Sequence, residues 1–380
     1  TYTIFEDSDV ITRRATVYND STSSIRIKGL ASAQLDLDAD DWKLVTFDGA
    51  WARERYMNER DLLPGIYIND SKTGVSSADH NPCIFLKKDD GQCIGMNLIY
   101  SGNHRELVEV SPYGKIRVMT GINPATFSWE LSPQDRFQSP EAVLTYSHQG
   151  MNGASQNFHH FINNHIVRGT WKMRERPVLI NNWEATYFNF NEDKLLSLAK
   201  ESADLGIELF VLDDGWFGLR NDDTTSLGDW TVNPKKLPSG LAGLSLEVHR
   251  LGMMFGLWVE PEMVSIESQL YKKHPDWMIA IPGRRPSVGR NQYILDLSRQ
   301  DVRDYLFKSL SETWHLADVN YIKWDMNRVF SDIYSTNAEI RNHGEFFHRY
   351  VLGLYDLLGK LTQAFPDVLF ESCASGGNRF

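Results

Sequence analysis

Residues 209–216 read Leu-Phe-Val-Leu-Asp-Asp-Gly-Trp: four apolar residues, two carboxylates, a glycine and a tryptophan. A short apolar run that stops at a polar cluster fits a strand buried on both faces, with the carboxylates at its C-terminal end. The pattern recurs at Val178–Ile180, Phe255–Val259, Tyr293–Leu297, Val319–Trp324 and Val368–Phe370. Helical stretches lie between the runs. Asn191 with Glu192 and Asp193 opens one, and Gly206 follows it; Ser239 opens the next, and Gly252 follows. Ser298 with Asp301 reads as a capping box ahead of Val302, Leu306 and Leu310. The last helix runs from about His343 past Leu361, with Pro366 just beyond it.

Strand–helix alternation predicts a parallel sheet covered by helices, either an open doubly wound sheet or an eight-stranded barrel. Gly215-Trp216-Phe217-Gly218 has the wrong spacing and bulk for a dinucleotide phosphate cradle. Six units that each end in polar residues fit a barrel, which gathers its strand ends around one site. Residues 177–380 are therefore expected to supply about six strands of a (β/α)8 TIM-type barrel.

Residues 1–153 read differently. Residues 24–28 and 34–38 alternate polar and apolar with period two, Asp90-Gly91 joins two apolar runs, and Tyr113-Gly114-Lys115 separates two more. This predicts a β-sandwich for support or oligomerisation, without a convergent catalytic set. In residues 154–176, expected as a helical linker, Phe158, Phe161, Ile162 and Ile166 share one helical face. His159, His160 and His165 fall beside them with no acidic ligand set nearby, so a solvated or core face is favoured over a metal site.

The chain has 380 residues and a formal charge of −11, which argues against a nucleic-acid or anionic-membrane partner. No apolar run has the length of a membrane-spanning helix. Three scattered cysteines suit a reducing, cytoplasmic setting. The first residue is Thr1, so the start reads as a processed or truncated end.

The expected strand ends carry Trp183 and Glu184; Asp213, Asp214 and Trp216; Trp258, Glu260 and Glu262; Asp296; Lys323, Asp325 and Asn327; Glu371 and Cys373. Tryptophan faces stack on the C–H face of a sugar while carboxylates, amides and lysine bind its hydroxyls, so carbohydrate is favoured over a metal. Lys323 and Asp325 are two apart on a strand and share the inner face, with Trp324 turned to the helices. That spacing leaves open a nucleophile with its neighbouring cation or an ion pair that holds the barrel. Asp213 and Asp214, taken alone, read as a turn pair before Gly215. Arg290 follows a Gly- and Pro-rich loop of the kind that is usually solvated. The small residues Cys373 to Gly377 would let backbone N–H groups approach a ligand, a weak signal by itself. No histidine is placed to activate Cys373 as a nucleophile.

The segments NNWEATYF (181–188), FVLDDGWFG (210–218), GLWVEPEM (256–263), YIKWDMNR (321–328) and ESCASGGNRF (371–380) resemble, in order and spacing, the melibiase-type α-galactosidases of glycoside hydrolase family 36. The β-rich part before them is similar to that family's supersandwich. The resemblance implies a retaining exo-α-galactosidase, acting on galactosides such as melibiose and raffinose, with Asp325 as nucleophile. It implies that Asp213 and Asp214 bind the galactose O4 and O6, and that Trp183 and Trp258 shape the pocket. Arg290 and Lys323 would bind hydroxyls, Trp324, Met326 and Asn327 belong to the binding segment, and Cys373 and Gly376 lie near O2. No metal or organic cofactor is implied, and a homotetramer is. The family's acid/base aspartate lies downstream of the ESCASGG segment, so the chain is expected to be an internal fragment that carries the nucleophile without it. Alternatives are an α-N-acetylgalactosaminidase, a non-catalytic galactoside-binding fragment and, last, a metal-dependent barrel hydrolase.

Overall fold

A computed structural model describes residues 1–337 and 339–380. They form two compact units: Thr1–Arg168 with residues 339–348 and Gly376–Phe380, and Gly169–Asn337 with Arg349–Ser375.

The first unit is an antiparallel sandwich. Strands Lys43–Ala50, Cys83–Lys87 and Cys93–Ile99 belong to a seven-stranded sheet, and Ala31–Asp38, Lys115–Ile122, His104–Val110 and Gly65–Asp70 make a four-stranded one. Alternation sorts neighbouring side chains to opposite faces. Leu44, Ile84 and Leu86 pack against Val108, Val110, Ile116 and Val118 of the other sheet. Val45, Phe85 and Cys93 face the other way, towards Ala154, Phe158 and Phe161. Both expected hairpins form, at Gly91 and Gly114, each with positive φ.

The expected 154–176 linker is corrected on both sides. The helix starts earlier, at Gly150–Phe161, and continues as a π turn over Ile162–Ile166. Phe158 and Phe161 are buried against the seven-stranded sheet, so this helix is part of the first unit's core. Gly95 makes the fit possible, because a Cβ there would stand 2.7 Å from the Phe158 ring. Of the three histidines, His165 pairs with Asp7 at 3.0 Å, and His159 and His160 are exposed.

The second unit holds five parallel strands in sequence order: Leu179–Asn181, Leu209–Leu212, Met254–Val259, Tyr321–Trp324 and Leu369–Ser372. Helices Glu192–Asp204, Gly240–Arg250, Gln300–Ala317 and Phe346–Ala364 intervene, giving part of a (β/α)8 barrel. The helix beginning at Glu192 is capped by Asn191, whose side chain accepts from the Lys194 N–H. Ser298 does not cap the next long helix; its hydroxyl donates to Asp296, and Arg299 takes the N-cap position.

The run Tyr293–Leu297, expected as a barrel strand, lies outside the parallel sheet. Gly256 pairs directly with Tyr321, which fills that edge of the third strand, while Tyr293 and Ile294 pair antiparallel with Val264 and Met263. Ile294, Leu295 and Leu297 are buried here as fully as in a barrel strand, so the run's apolar character does not tell the two apart. Among the described residues no helix is long and apolar enough to cross a membrane.

Candidate active site at the strand ends

Register places the chemistry. Trp258 lies beside Lys323, and Lys323 beside Glu371, so consecutive strands bring these residues to one level. Tyr321 and Lys323 alternate with Ile322 and Trp324, as period two requires. Tyr321 packs in a cluster with Leu209 and Val211, and its hydroxyl donates to the Glu371 carboxylate.

Asp325 follows the fourth strand, and its N–H donates to the Val259 carbonyl at 2.8 Å, fastening two strand ends together. Its carboxylate accepts three hydrogen bonds. Trp258 Nε1 donates to Oδ2 at 3.0 Å, Asn327 Nδ2 to Oδ2 at 2.6 Å, and the Met326 N–H to Oδ1 at 2.9 Å. Asp325 is 5% exposed, so these donors replace most of its water.

The ammonium of Lys323 does not bond to Asp325. It donates to Asp213 Oδ2 at 2.9 Å. Burial would lower the Lys323 ammonium, but Asp213, with a smaller contribution from Asp325, outweighs it and leaves the group raised. Asp213 is further held by Asn181 Nδ2 at 2.5 Å, and its Oδ1 accepts the Asp214 N–H at 2.8 Å.

Asp214 faces a partner six residues along. Arg220, itself buried, grips both carboxylate oxygens, Nε to Oδ1 at 2.8 Å and Nη2 to Oδ2 at 2.7 Å. Burial nevertheless dominates and raises the Asp214 carboxyl above its ordinary range. Each oxygen retains capacity for another donor. Lys236 Nζ donates to the carbonyls of Phe188, Gly215 and Arg220, which fixes the loop; burial pushes this ammonium down to about 8. Gly215 sits at φ +105, where a Cβ would stand 3.0 Å from Phe188 and 3.2 Å from Lys236 Nζ.

Trp183 is half-buried on the short helix Trp183–Thr186, edge-on to Tyr187 and Phe188. Trp258 is buried, nearly parallel to Phe217 at 6.2 Å, and is a hydrogen-bond donor to Asp325. Trp324 Nε1 donates to Glu262 Oε1 at 2.9 Å, and Tyr350 donates to the other oxygen at 2.8 Å. Its indole therefore serves the packing behind Asp325. Met326 is also buried and reaches Asp325 through its backbone.

Arg290, exposed at φ +50, donates through Nη1 to Ser375 Oγ at 3.3 Å, and Ser375 donates to Asn327 Oδ1 at 2.7 Å. Cys373 is half-buried, its N–H bonded to the Trp324 carbonyl at 2.8 Å. Gly376 falls in the first unit at φ +94, where a Cβ would approach Glu54. Sequence reasoning misses Arg220 and gives no side-chain role to Ser375 or Glu260, although both lie in segments it marks. Their partners are set by loops, and only the doubled acid of Val259-Glu260-Pro261-Glu262 gave a readable sign. Among the described residues, no three His, Cys, Asp or Glu side chains are grouped so as to hold a metal ion.

The melibiase family model matches residues 136–380, and that of the glycosyl hydrolase family 36 N-terminal domain matches residues 1–132. Alpha-galactosidase AgaA of Geobacillus stearothermophilus is 47% identical, covering 100% of this chain and 53% of its own length. Alpha-galactosidase Mel36A of Lactobacillus acidophilus is 48% identical, covering 100% and 52%. The crystal structure of the alpha-galactosidase from Lactobacillus brevis aligns with a TM-score of 0.98 at 49% identity, over 100% of this chain and 52% of that one. A variant of AgaA in complex with raffinose aligns with a TM-score of 0.98 at 47% identity, over 100% and 54%. The chain spans about half the length of the curated relatives it matches.

Proposed function

Because the chain belongs to the melibiase family, with a family 36 N-terminal domain ahead of the catalytic part, we propose that it carries the nucleophile half of a retaining exo-α-galactosidase. The observation that carries this reading is Asp325: a carboxylate at a barrel strand's C-terminal end, fixed by an indole, an amide and a backbone N–H. Asp325 attacks the anomeric carbon of a terminal α-galactoside as the glycosidic bond breaks, and an acid protonates the departing oxygen. Water, giving its proton to the same residue acting as base, then cleaves the galactosyl ester and restores the α configuration.

The Lys323–Asp213 pair and the Asp214–Arg220 pair support the sugar contacts, offering one cation and two acceptors at the strand ends. Trp183, Arg290, Asn327 and Cys373 are proposed to complete the binding surface. The raffinose complex of the AgaA variant supports galactosides of the raffinose type as substrates. Three free thiols support a reducing, cytoplasmic setting. A homotetramer is proposed from the resemblance and is tested by light scattering of the full-length protein.

Asp325→Gly in the full-length protein, given azide and an activated aryl α-galactoside, tests the assignment. Azide entering the vacated position gives β-galactosyl azide. The α-azide as sole product would move the nucleophile elsewhere and leave Asp325 another role.

A further inference from the structure

Glu260 directly follows the third strand and Asp325 the fourth, and the Asp325 N–H is bonded to Val259, so the two carboxyl groups stand at adjoining strand ends. Glu260 is 1% exposed. Its Oε1 accepts the Asn327 N–H and, at 2.6 Å, Gln292 Nε2. Asn327 is also the residue whose amide holds Asp325 Oδ2. The chain of contacts thus runs from Glu260 through the backbone of Asn327 to the side chain of Asn327 and on to the nucleophile.

We propose that Glu260 is a positioning residue for Asp325 and works as an uncharged carboxylic acid, fixing the Asn327 turn while leaving the negative charge of this junction on Asp325. The groups facing it are the Asp325 carboxylate from the fourth strand, Asn327 from the turn after that strand, and the Gln292 amide from the loop before Tyr293. Of these, Asp325 alone carries charge. Two carboxylates at adjoining strand ends do not both ionise cheaply in a buried site. Burial first, then Asp325, push the Glu260 carboxyl up to about 8, against the pull of its Asn327 and Gln292 hydrogen bonds. An ionised Glu260 would set a second anion beside the nucleophile and strain the turn that orients it. When Asp325 becomes a galactosyl ester its charge is lost, and one of the two causes that raise Glu260 goes with it.

The inference rests on Asp325 being the nucleophile. Its test therefore pairs kinetics with a measurement that needs no turnover. In infrared difference spectra of the full-length protein, wild type minus Glu260→Gln should show a protonated-carboxyl C=O band that titrates near about 8. In Asp325→Asn that band should titrate at lower pH. With an activated aryl α-galactoside, Glu260→Ala should lower kcat/KM about 10- to 100-fold, mainly through kcat, by stranding the Asn327 N–H and the buried Gln292 amide. Glu260→Gln keeps the accepting oxygen and the neutral charge, so it should recover most of that loss and abolish any decline in kcat/KM near pH 8 that the wild type shows. A wild type with no such band near neutral pH overturns the proposal. So does a Glu260→Gln protein as impaired as Glu260→Ala, or one that keeps the alkaline decline. If the wild type turns over no galactoside, the functional reading fails instead, and the infrared arm still decides the state of Glu260.

Discussion

Trp258 offers a way to test the setting of Asp325 with little change of volume. Trp258→Phe keeps a buried ring but removes the indole N–H from Oδ2. A hydrogen bond to a charged acceptor contributes about 1.5–3 kcal/mol, so kcat/KM should fall about 10- to 100-fold in steady-state kinetics. Lys323→Met should cost stability as well as galactoside binding, because it also leaves Asp213 buried without its cation; a loss of about 3 kcal/mol is expected in denaturant unfolding. The same residue shows where reading the sequence stops. That Lys323 and Asp325 share a face follows from the two-residue period of a strand. Which carboxylate the ammonium bonds to does not follow, since Asp213 lies 110 residues away and comes into reach only when the strands curl together. Arg220 was hidden in the same way, being a loop residue with no periodicity to mark it.

At the scale of elements, the sandwich helix depends on an absent side chain. Gly95→Val would drive a methyl into the Phe158 and Phe85 rings and lift the helix Gly150–Phe161 from its sheet, costing about 1–3 kcal/mol in thermal or denaturant unfolding. Asn191→Ala removes a cap of the first barrel helix and should cost about 1 kcal/mol. The buried strands of the parallel sheet were legible because each is a short apolar run closed by polar residues. Tyr293–Leu297 had the same look and a different fate, because hydrophobicity reports burial without naming the neighbour. The cap at Asn191 was legible for a local reason, its bond spanning three residues; Ser298 is no cap because the helix begins one residue later, with Arg299 at the N-cap position, and the Ser298 hydroxyl is turned to Asp296.

Across the whole molecule, buried titrating groups set the response to pH. The folded Glu260 carboxyl lies above its unfolded value, so its stabilising contribution is intact below the ordinary glutamate range and lost as pH climbs towards about 8. Lys236 is depressed to about 8, so its penalty stands below that point and is relieved as pH rises into the ordinary lysine range. Calorimetry of the full-length protein should therefore show the barrel transition falling from mildly acidic pH to about 8 and recovering above it. Glu260→Gln should flatten the first limb only.

The interleaved composition of the first unit bears on how the chain is made. Glu345 Oε1 accepts the Glu130 N–H at 3.0 Å, Tyr100 bonds His348 at 3.0 Å, and Asn378 Oδ1 accepts the Ala78 N–H at 2.8 Å. A ribosome delivers residues 1–168 first, yet these bonds wait for partners from 345 to 378. The sandwich, which precedes the second unit in the sequence, is thus finished only after most of the strands of that unit have been translated, and a nascent chain halted near residue 168 should stay sensitive to protease where a longer one resists.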